Sequence, residues 1–248
     1  MGLRRIRADL HIHSCLSPCG ELSIYPRKIV ERALGAGLRI IAVCDHNTAE
    51  NAAAVIESAR GTGLTVLPGM ELTSEEEVHI LGLFPTMDDL LPVQEDVYRA
   101  LPTLQAQTAL IKDQVIVNED DEVLGFNPRC LFAATRLSVF NLVDLIHKHD
   151  GLAIASHIDR EAFSIITQLG FIPADLELDA LEISPLMTVD RARAELRPPA
   201  HFPLVRFSDA HQPEEIGRTT TDFLMAAPAF EEVRMALKGR KGRRICQS

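Results

Sequence analysis

Histidines and carboxylates that could do chemistry occur at four places along the sequence. They occur together at Asp9 with His11 and His13, at Asp45 with His46 and at Asp209 with His211, and the fourth place is the single histidine His79. These residues lie at the ends of, or within, apolar runs that are typical of β-strands. His11 and His13 are two residues apart, so in a strand both imidazoles point to one face and can bind the same ion. The pattern therefore indicates metal-dependent hydrolysis.

The apolar strand-like runs alternate with helix-like segments along most of the chain. The predicted strands cover residues 6–11, 39–44, 65–68, 78–84, 152–156, 180–183 and 204–207. The predicted helices cover residues 26–34, 51–60, 88–99, 139–149, 160–169, 189–196 and 229–237. This order is typical of parallel strands joined by helical crossovers. It predicts an α/β fold with seven βα units, closed into a barrel.

On this map the polar residues lie at one rim, because the carboxyl ends of the strands in a βα barrel share one face. The rim residues in strand order are His11, His13, Asp45, His46, Glu71, His79, His157, Asp209 and His211. A single histidine at a strand end is more often a hydrogen-bonded structural residue than a ligand. Six histidines and three acids at one rim favour a metal centre.

Six ordered motifs between residues 9 and 211 resemble those of the PHP family, named for polymerase and histidinol phosphatase. They are Asp-Leu-His-x-His-Ser at 9–14, Asp-His-Asn at 45–47, Gly-Met-Glu at 69–71, Val-His-Ile at 78–80, Ser-His at 156–157 and Ser-Asp-Ala-His at 208–211. The resemblance implies a distorted seven-stranded βα barrel that holds two or three metal ions and hydrolyses phosphoesters.

The resemblance also implies how the ligands are shared among the ions. The first ion would be held by His11, His13, Glu71 and Asp209. Glu71 would bridge to a second ion held with His79 and His157. A third ion would use His46, His211 and a residue of the loop after the first strand.

In that loop this chain has Cys19, where members of the family often have aspartate or histidine. A thiolate favours zinc, or iron over magnesium, because soft sulfur prefers those ions. The alternative is a free cysteine in a proline-glycine turn. The expected cofactors are therefore two or three divalent ions of zinc, manganese or iron. Asp9 and Asp45 are expected to orient neighbouring histidines, although direct ligation is an alternative.

Phosphoester hydrolysis needs positive charge near the phosphoryl oxygens and a deprotonated water. Metal ions provide both, because they lower the pKa of bound water far below that of bulk water, to about 7. With hydroxide produced in this way as the nucleophile, Glu71, Asp209 and Arg160 are the predicted catalytic residues. The His-x-x-Arg spacing of Arg160 resembles that of phosphatases in the family, and its guanidinium could bind a phosphate bidentately. An ion pair with Asp159 or Glu161 is the competing interpretation.

Arg218 is a second, weaker candidate for substrate binding. Two alternatives to phosphoester hydrolysis stay open. One is the hydrolysis of a non-phosphate substrate, and the other is a non-catalytic, metal-stabilised PHP module for binding or scaffolding.

Length and composition fit one globular domain that carries an insertion. The chain has 248 residues, of which 46% are hydrophobic. Residues 101–138 interrupt the alternation, and 114–124 resemble two short strands around an acidic turn. This insertion is expected to be either a lid or collar for substrate or an excursion without ligand contact. Residues 238–248 are predicted to be a flexible basic tail.

The formal net charge of −10 argues against general affinity for nucleic acid, because binding to a phosphate backbone needs a basic face. The expected partner is thus a small phosphorylated metabolite or nucleotide, with polymeric nucleic acid unlikely. No run of eighteen apolar residues or signal-peptide core occurs, and the five cysteines suit a reducing compartment. A cytoplasmic protein without membrane contact is expected, and its oligomeric state is not predicted.

Overall fold

A nine-stranded sheet and seven α-helices make up most of the computed structural model, which describes residues 2–103 and 113–246. The strands are Arg4–Ile12 (β1), Ile40–Val43 (β2), Thr65–Thr73 (β3), His79–Leu83 (β4), Val115–Val117 (β5), Val123–Phe126 (β6), Leu152–Ala155 (β7), Ala180–Ile183 (β8), Leu204–Arg206 (β9), Thr221–Met225 (β10) and Arg244–Ile245 (β11). The α-helices are Pro26–Gly35 (α1), Ala52–Ser58 (α2), Met87–Ala100 (α3), Val139–Lys148 (α4), Ile165–Leu169 (α5), Val189–Glu195 (α6) and Phe230–Leu237 (α7). Pro213–Glu215 and Arg240–Gly242 are 3-10 helices.

The main sheet is nearly closed and resembles a barrel. Its strand order is β11-β10-β1-β2-β3-β4-β7-β8-β9. The segment after β9 returns to β1 through a bridge between Ala210 and Ile12, and the backbone N–H of His13 donates to the carbonyl of Ala210 at 2.9 Å. The predicted α/β class and barrel-like arrangement are therefore confirmed.

A strict repeat of seven βα units is not what the structure shows. β4 runs antiparallel to both β3 and β7, and it follows β3 after a tight turn from Ser74 to Val78. A parallel connection needs a dozen or more residues, so this short turn forces an antiparallel strand without a helix. The sequence analysis also missed β10 and β11, which extend the sheet beyond the amino-terminal half of β1.

Apolar side chains from the strands fill the barrel interior and leave the rim to polar residues. The inner cluster includes Ala8, Leu10, Leu81, Ile154, Phe207 and Phe223, and α7 packs against it through Val233 and Leu237. Helices α1 to α6 cover the outer faces of the strands. Because the interior is apolar towards the amino ends of the strands, the buried polar groups of the site lie at the carboxyl ends.

A register irregularity near the end of β1 turns the side chains of His11 and His13 towards that rim. The pairing with β2 shifts between Asp9 and Ile12. Leu10 belongs to the inner cluster, whereas Ile12 packs with the residues under α1 and α2, so the in-out alternation reverses between them. A one-residue bulge has this effect on every side chain that follows it. His11 and His13 consequently face inwards together.

The insertion contains the expected hairpin. β5 and β6 pair as a separate two-stranded sheet around the turn from Asn118 to Glu122. Its base is held by Asn51, whose side-chain amide donates to Val115 O and accepts from the backbone N–H of Val117, each at 3.0 Å. The insertion thus packs beside the carboxyl end of β2. Residues 104–112 of the predicted insertion lie outside the described residues, and the domain boundaries stay a prediction.

Part of the predicted flexible tail is paired with the sheet. Arg244–Ile245 forms β11 against β10, and the guanidinium of Arg243 lies 3.0 Å from a carboxylate oxygen of Glu232. Residues 247–248 lie outside the described residues. Within the ranges 2–103 and 113–246, no helix is both long and apolar enough to cross a membrane.

Candidate metal centre

The carboxyl ends of the strands bring the predicted ligands into one cluster. His11 lies near the end of β1, Glu71 lies near the end of β3, and His79 begins β4. The remaining members follow strands β1, β2, β7 and β9, and they are His13, Cys19, His46, His157, Asp209 and His211. All of these residues are buried except His211, which is half-buried, and Cys19, which is exposed. Because β4 is antiparallel, His79 reaches the rim from the start of its strand.

Glu71 is at the middle of this cluster. Its Oε1 lies 3.0 Å from His79 Nδ1 and 3.2 Å from His157 Nε2. Its Oε2 lies 3.2 Å from His46 Nδ1, 3.4 Å from His13 Nε2 and 3.5 Å from His11 Nε2. A single carboxylate cannot form good hydrogen bonds with five imidazoles, but it can share metal ions with them.

Three overlapping groups of side chains have donor atoms within 4.8 Å of one another. The groups are His11, His13, Glu71 and Asp209; His46, Glu71 and His79; and His13, Cys19, His46 and His211. The first group is the ligand set expected for the first ion. In the second group His46 takes the place expected of His157, although His157 still contacts Glu71. The third group contains the expected Cys19, His46 and His211, together with His13.

Unsatisfied buried nitrogens show that these residues fit metal ions. Among the described residues, His11 Nε2 and His46 Nδ1 are buried and have no hydrogen-bond partner. Buried polar atoms are normally hydrogen-bonded, so each exception needs an explanation. Both nitrogens point into the carboxylate cluster, and a set of imidazole and carboxylate donors with one thiol suits divalent transition metals.

Glu182, which the sequence analysis missed, orients His11. Its two carboxylate oxygens lie 3.1 and 3.0 Å from His11 Nδ1, which leaves Nε2 available for an ion. Ligand histidines commonly bind a carboxylate through their other nitrogen in this way. Glu182 is buried in β8, within the otherwise apolar run from Ala180 to Ile183. A lone acid in a buried strand was the signal that could have identified it.

Asp45 supports His13 indirectly. Its Oδ1 accepts a hydrogen bond from the hydroxyl of Ser17 at 2.7 Å, and that hydroxyl lies 2.9 Å from His13 Nδ1. The same carboxylate accepts from the backbone N–H and the hydroxyl of Ser14. Asp45 thus fixes both the loop after β1 and the orientation of one histidine.

Asp9 holds a loop rather than a histidine. Its carboxylate accepts from the backbone N–H groups of Ser208 at 3.0 Å and Gly217 at 2.8 Å, on either side of Asp209 and His211. Burial raises the pKa of Asp9 to about 6. Asp9 therefore fixes the loop that carries Asp209 through its backbone, and among the described residues it makes no hydrogen bond to the ligand side chains of that loop.

The electrostatics of the cluster keep the carboxylates charged. Burial alone would raise the pKa of Glu71, but the neighbouring His79, His11 and His46 hold it well below its ordinary value. Burial also lowers the pKa of His46 well below its ordinary value and that of His211 to about 4. Ionised carboxylates and neutral imidazoles are the forms that bind metal ions.

His11 differs from these histidines. Burial would lower its pKa, but the carboxylates of Glu182, Asp209 and Glu71 outweigh burial and raise the pKa of His11 well above the ordinary value. A metal ion at His11 would therefore have to displace a proton.

Arg160 reaches the centre. Its guanidinium lies 2.6 Å from Asp209 Oδ2, and its side chain is 42% exposed. The guanidinium pairs with Asp209 and not with Asp159 or Glu161, the two acids expected to compete for it. Asp159 instead accepts hydrogen bonds from the backbone N–H and hydroxyl of Ser184. Arg218 is exposed, and within the described part of the chain its side chain makes no hydrogen bond or ion pair with the centre. The structure thus brings Arg160, but not Arg218, to the predicted site.

Arg160 lies in a loop where a helix was expected. The predicted helix over residues 160–169 begins only at Ile165, and positive φ angles occur at His157 and Phe163. This loop is anchored by the hydroxyl of Thr167, which donates to the carbonyl of Arg160 at 2.8 Å. His157 and Arg160 therefore reach Glu71 and Asp209 from an irregular loop and not from the first turn of a helix.

Comparison with known proteins gives a family match and several relatives by sequence. Residues 9–172 match the PHP domain family. The chain is 28% identical over 261 aligned positions to the 5′-3′ exoribonuclease Rnm of Salmonella typhimurium, covering 85% of this chain and 88% of the relative. It is 35% identical over 95 residues to a 5′-3′ exoribonuclease of Haemophilus influenzae, covering 35% of this chain and 34% of that protein.

Among solved structures, the lesion-specific endonuclease PfuEndoQ of Pyrococcus furiosus has a similar fold. The TM-score is 0.78 at 21% identity, covering 98% of this chain. The chain spans only 58% of that protein's length.

The expectation of a small phosphorylated partner, with nucleic acid unlikely, is wrong. Both aligned relatives are named exoribonucleases, and a second similar structure, with a TM-score of 0.76, is endonuclease Q with a 27-mer duplex. The inference failed because it used the net charge of the whole chain. A formal charge of −10 leaves out the ions at the site, which can be the largest local charges there.

The family assignment rests on more than half of the chain. The match over residues 9–172 includes the motifs that supply His11, His13, Glu71 and His79, and the structure assembles these residues around one buried carboxylate. The chain therefore belongs to the PHP domain family.

Proposed function

We propose that this protein is a metal-dependent phosphodiesterase that acts on nucleic acid. The observation that carries the proposal is Glu71, a buried carboxylate with five imidazole nitrogens within 3.5 Å. Divalent ions bound there supply positive charge to phosphoryl oxygens and acidity to a coordinated water. RNA is the preferred substrate class in this proposal, because a relative that aligns over 85% of the chain is named a 5′-3′ exoribonuclease.

The ligand groups support a trinuclear centre. One ion is assigned to the first group, a second to Glu71 and His79 with His157, and a third to His46, His211 and Cys19. Cys19 is an exposed residue whose sulfur lies within 4.8 Å of the donor nitrogens of the histidines in the third group, which supports it as a ligand at the open side of the centre. Zinc, manganese and iron are the proposed ions, with the thiol favouring zinc or iron.

The chain's own residues orient the substrate. Arg160 is partly exposed and paired with Asp209, so its guanidinium is positioned at the edge of the centre while part of it stays accessible to a phosphate. Planar guanidinium groups bind phosphate oxygens through two parallel hydrogen bonds. Asp209 both belongs to the first ligand group and holds Arg160, which links the position of the substrate to that of the ion.

A non-catalytic scaffold is the disfavoured alternative. A purely structural PHP module has no need for a cysteine and a partly exposed arginine side chain beside the buried ligands. The names of the aligned relatives also describe nucleases.

Hydrolysis of defined substrates tests the proposal. Protein stripped with a chelator and reloaded with Mn²⁺, Zn²⁺ or Fe²⁺ is mixed with 5′-phosphorylated RNA, the same DNA sequence and a phosphomonoester. We expect hydrolysis of RNA only after reloading. In Glu71→Gln we expect a loss larger than the roughly 10- to 100-fold that is usual for a residue that only orients a ligand. Glu75→Gln, which changes an exposed acid four residues away, is the matched control and should keep wild-type activity. No hydrolysis with any of the metals would overturn the proposal.

A further inference from the structure

Phe163 is an aromatic side chain beside the metal centre that the proposed chemistry does not use. Its ring stacks on that of His79, with centroids 4.4 Å apart and an angle of 16° between the planes. The carbonyl of Phe163 accepts the backbone N–H of His79 at 2.9 Å, so the two residues are joined through both backbone and ring. The ring therefore has a fixed position next to a residue in contact with Glu71.

Shielding of His79 does not by itself account for this arrangement. Phe84, Phe207 and Phe223 are fully buried, whereas Phe163 is 37% exposed. Its φ angle of +59° lies in the left-handed region, which is costly for a bulky residue and is found mainly where function requires it. The backbone is thus strained to present an aromatic surface partly to solvent.

The same short loop presents Arg160. Arg160 contacts Asp209, and Phe163 contacts His79. Asp209 and His79 each share a ligand group with Glu71, so the cation and the ring flank two sides of one centre. The hydroxyl of Ser164, which accepts the backbone N–H of Thr167 at 3.1 Å, caps the helix that follows and fixes the end of the loop.

We propose that Phe163 is a base-stacking platform that selects phosphoesters carrying a nucleobase next to the scissile bond. The inference rests on the proposed function and deepens it. Arg160 binds a phosphate, and the exposed part of the Phe163 ring stacks on the adjacent base. Stacking of this kind tolerates any base because every base has an aromatic face.

The experiment compares intact and abasic substrates. A 5′-phosphorylated RNA tetranucleotide is assayed beside versions that lack one base, with the abasic position moved along the chain. Wild-type holoenzyme should hydrolyse the intact substrate about 5- to 150-fold more efficiently than one of the abasic versions, the range expected for one stacked base. In F163A this ratio should fall towards one, and F163W should restore it.

Two further variants separate stacking from packing. F163L keeps an apolar side chain over His79 without a ring, and it should lose the preference as F163A does. F171A removes a 63% exposed phenylalanine beyond the end of α5 and should keep the preference. If F163A lowers the hydrolysis of intact and abasic substrates equally, Phe163 only positions His79 and the proposal is overturned.

Fluorescence gives a readout that is independent of hydrolysis. A 2-aminopurine at the preferred position should be quenched when the oligonucleotide binds wild-type holoenzyme or F163W in a stopped-flow experiment, but not when it binds F163A or F163L. If wild type hydrolyses no phosphoester, the proposed function fails, and quenching still decides whether Phe163 stacks on a base. Equal quenching in all four proteins would overturn the stacking role.

Discussion

At the residue scale, Glu182 controls the centre without belonging to any of its three ligand groups. Its carboxylate fixes His11 through Nδ1. Glu182→Gln keeps the shape of the side chain but removes its charge. We expect it to weaken metal binding about 10- to 100-fold, the usual cost of losing such a partner. Competition with a chromophoric chelator measures the affinity. Glu177→Gln, which changes an exposed acid nearby, is the control, and an unchanged affinity in Glu182→Gln would contradict this role.

The raised pKa of Asp9 predicts that the free energy of unfolding depends on pH. Burial raises its pKa from 3.8 to about 6, so the folded protein binds the proton more tightly than the unfolded chain. This tighter proton binding contributes roughly 3 kcal/mol to the free energy of unfolding. The contribution is fully present below about pH 4 and is lost as the pH rises through about 6. Asp9→Asn cannot ionise and should lack this loss. Urea unfolding of both metal-free proteins between pH 4 and 7 measures the difference, and parallel profiles would contradict it.

The ligands were more predictable than the residues around them. His11, His13, Glu71 and Asp209 follow from motifs at strand ends, because those ends converge whatever their separation in sequence. Glu182 belongs to no such motif, and its role depends on a contact between residues 171 positions apart. The partner of Arg160 was also missed, because both expected acids were sequence neighbours and the observed Asp209 is distant.

At the element scale, β3 carries Glu71 and is packed too closely to accept a larger residue at Gly69. A Cβ atom there would lie 2.6 Å from Cys44 Sγ and 3.1 Å from Leu83 Cδ2. Gly69→Ala should therefore lower the free energy of unfolding by about 1–3 kcal/mol, as expected for overpacking. It should also weaken metal binding because Glu71 is two residues further along the strand. Gly35→Ala, where a Cβ meets nothing within 4 Å, should not destabilise the protein in the same urea titration.

Some elements were predicted well from their apolar pattern, whether they are long or short. The helix expected over residues 139–149 is observed as Val139–Lys148, and the strand over 180–183 is observed without change. The direction of β4 was missed because hydrophobic pattern does not encode strand direction. The short turn before it held that information. The start of the helix predicted at residue 160 was missed for a different reason, because a loop with positive φ angles at His157 and Phe163 takes its place.

At the scale of the whole molecule, the ions should contribute to global stability because their ligands come from strands around the sheet. An ion that binds only the folded state at about 100 times its dissociation constant adds about 2.7 kcal/mol. For a protein of this size that corresponds to a rise of roughly 5–10 °C in Tm. Thermal unfolding before and after treatment with a chelator measures it. An unchanged Tm would mean that the ligand cluster does not hold ions under those conditions.

The most direct test of a multinuclear centre is the metal content of the purified protein, measured by mass spectrometry beside that of Glu71→Gln. Glu71 belongs to two of the three ligand groups. We expect more than one ion per chain in the wild type and a clear loss in the variant, which keeps the fold but lacks the shared charge. One ion or none in the wild type, or the same content in both proteins, would contradict the account.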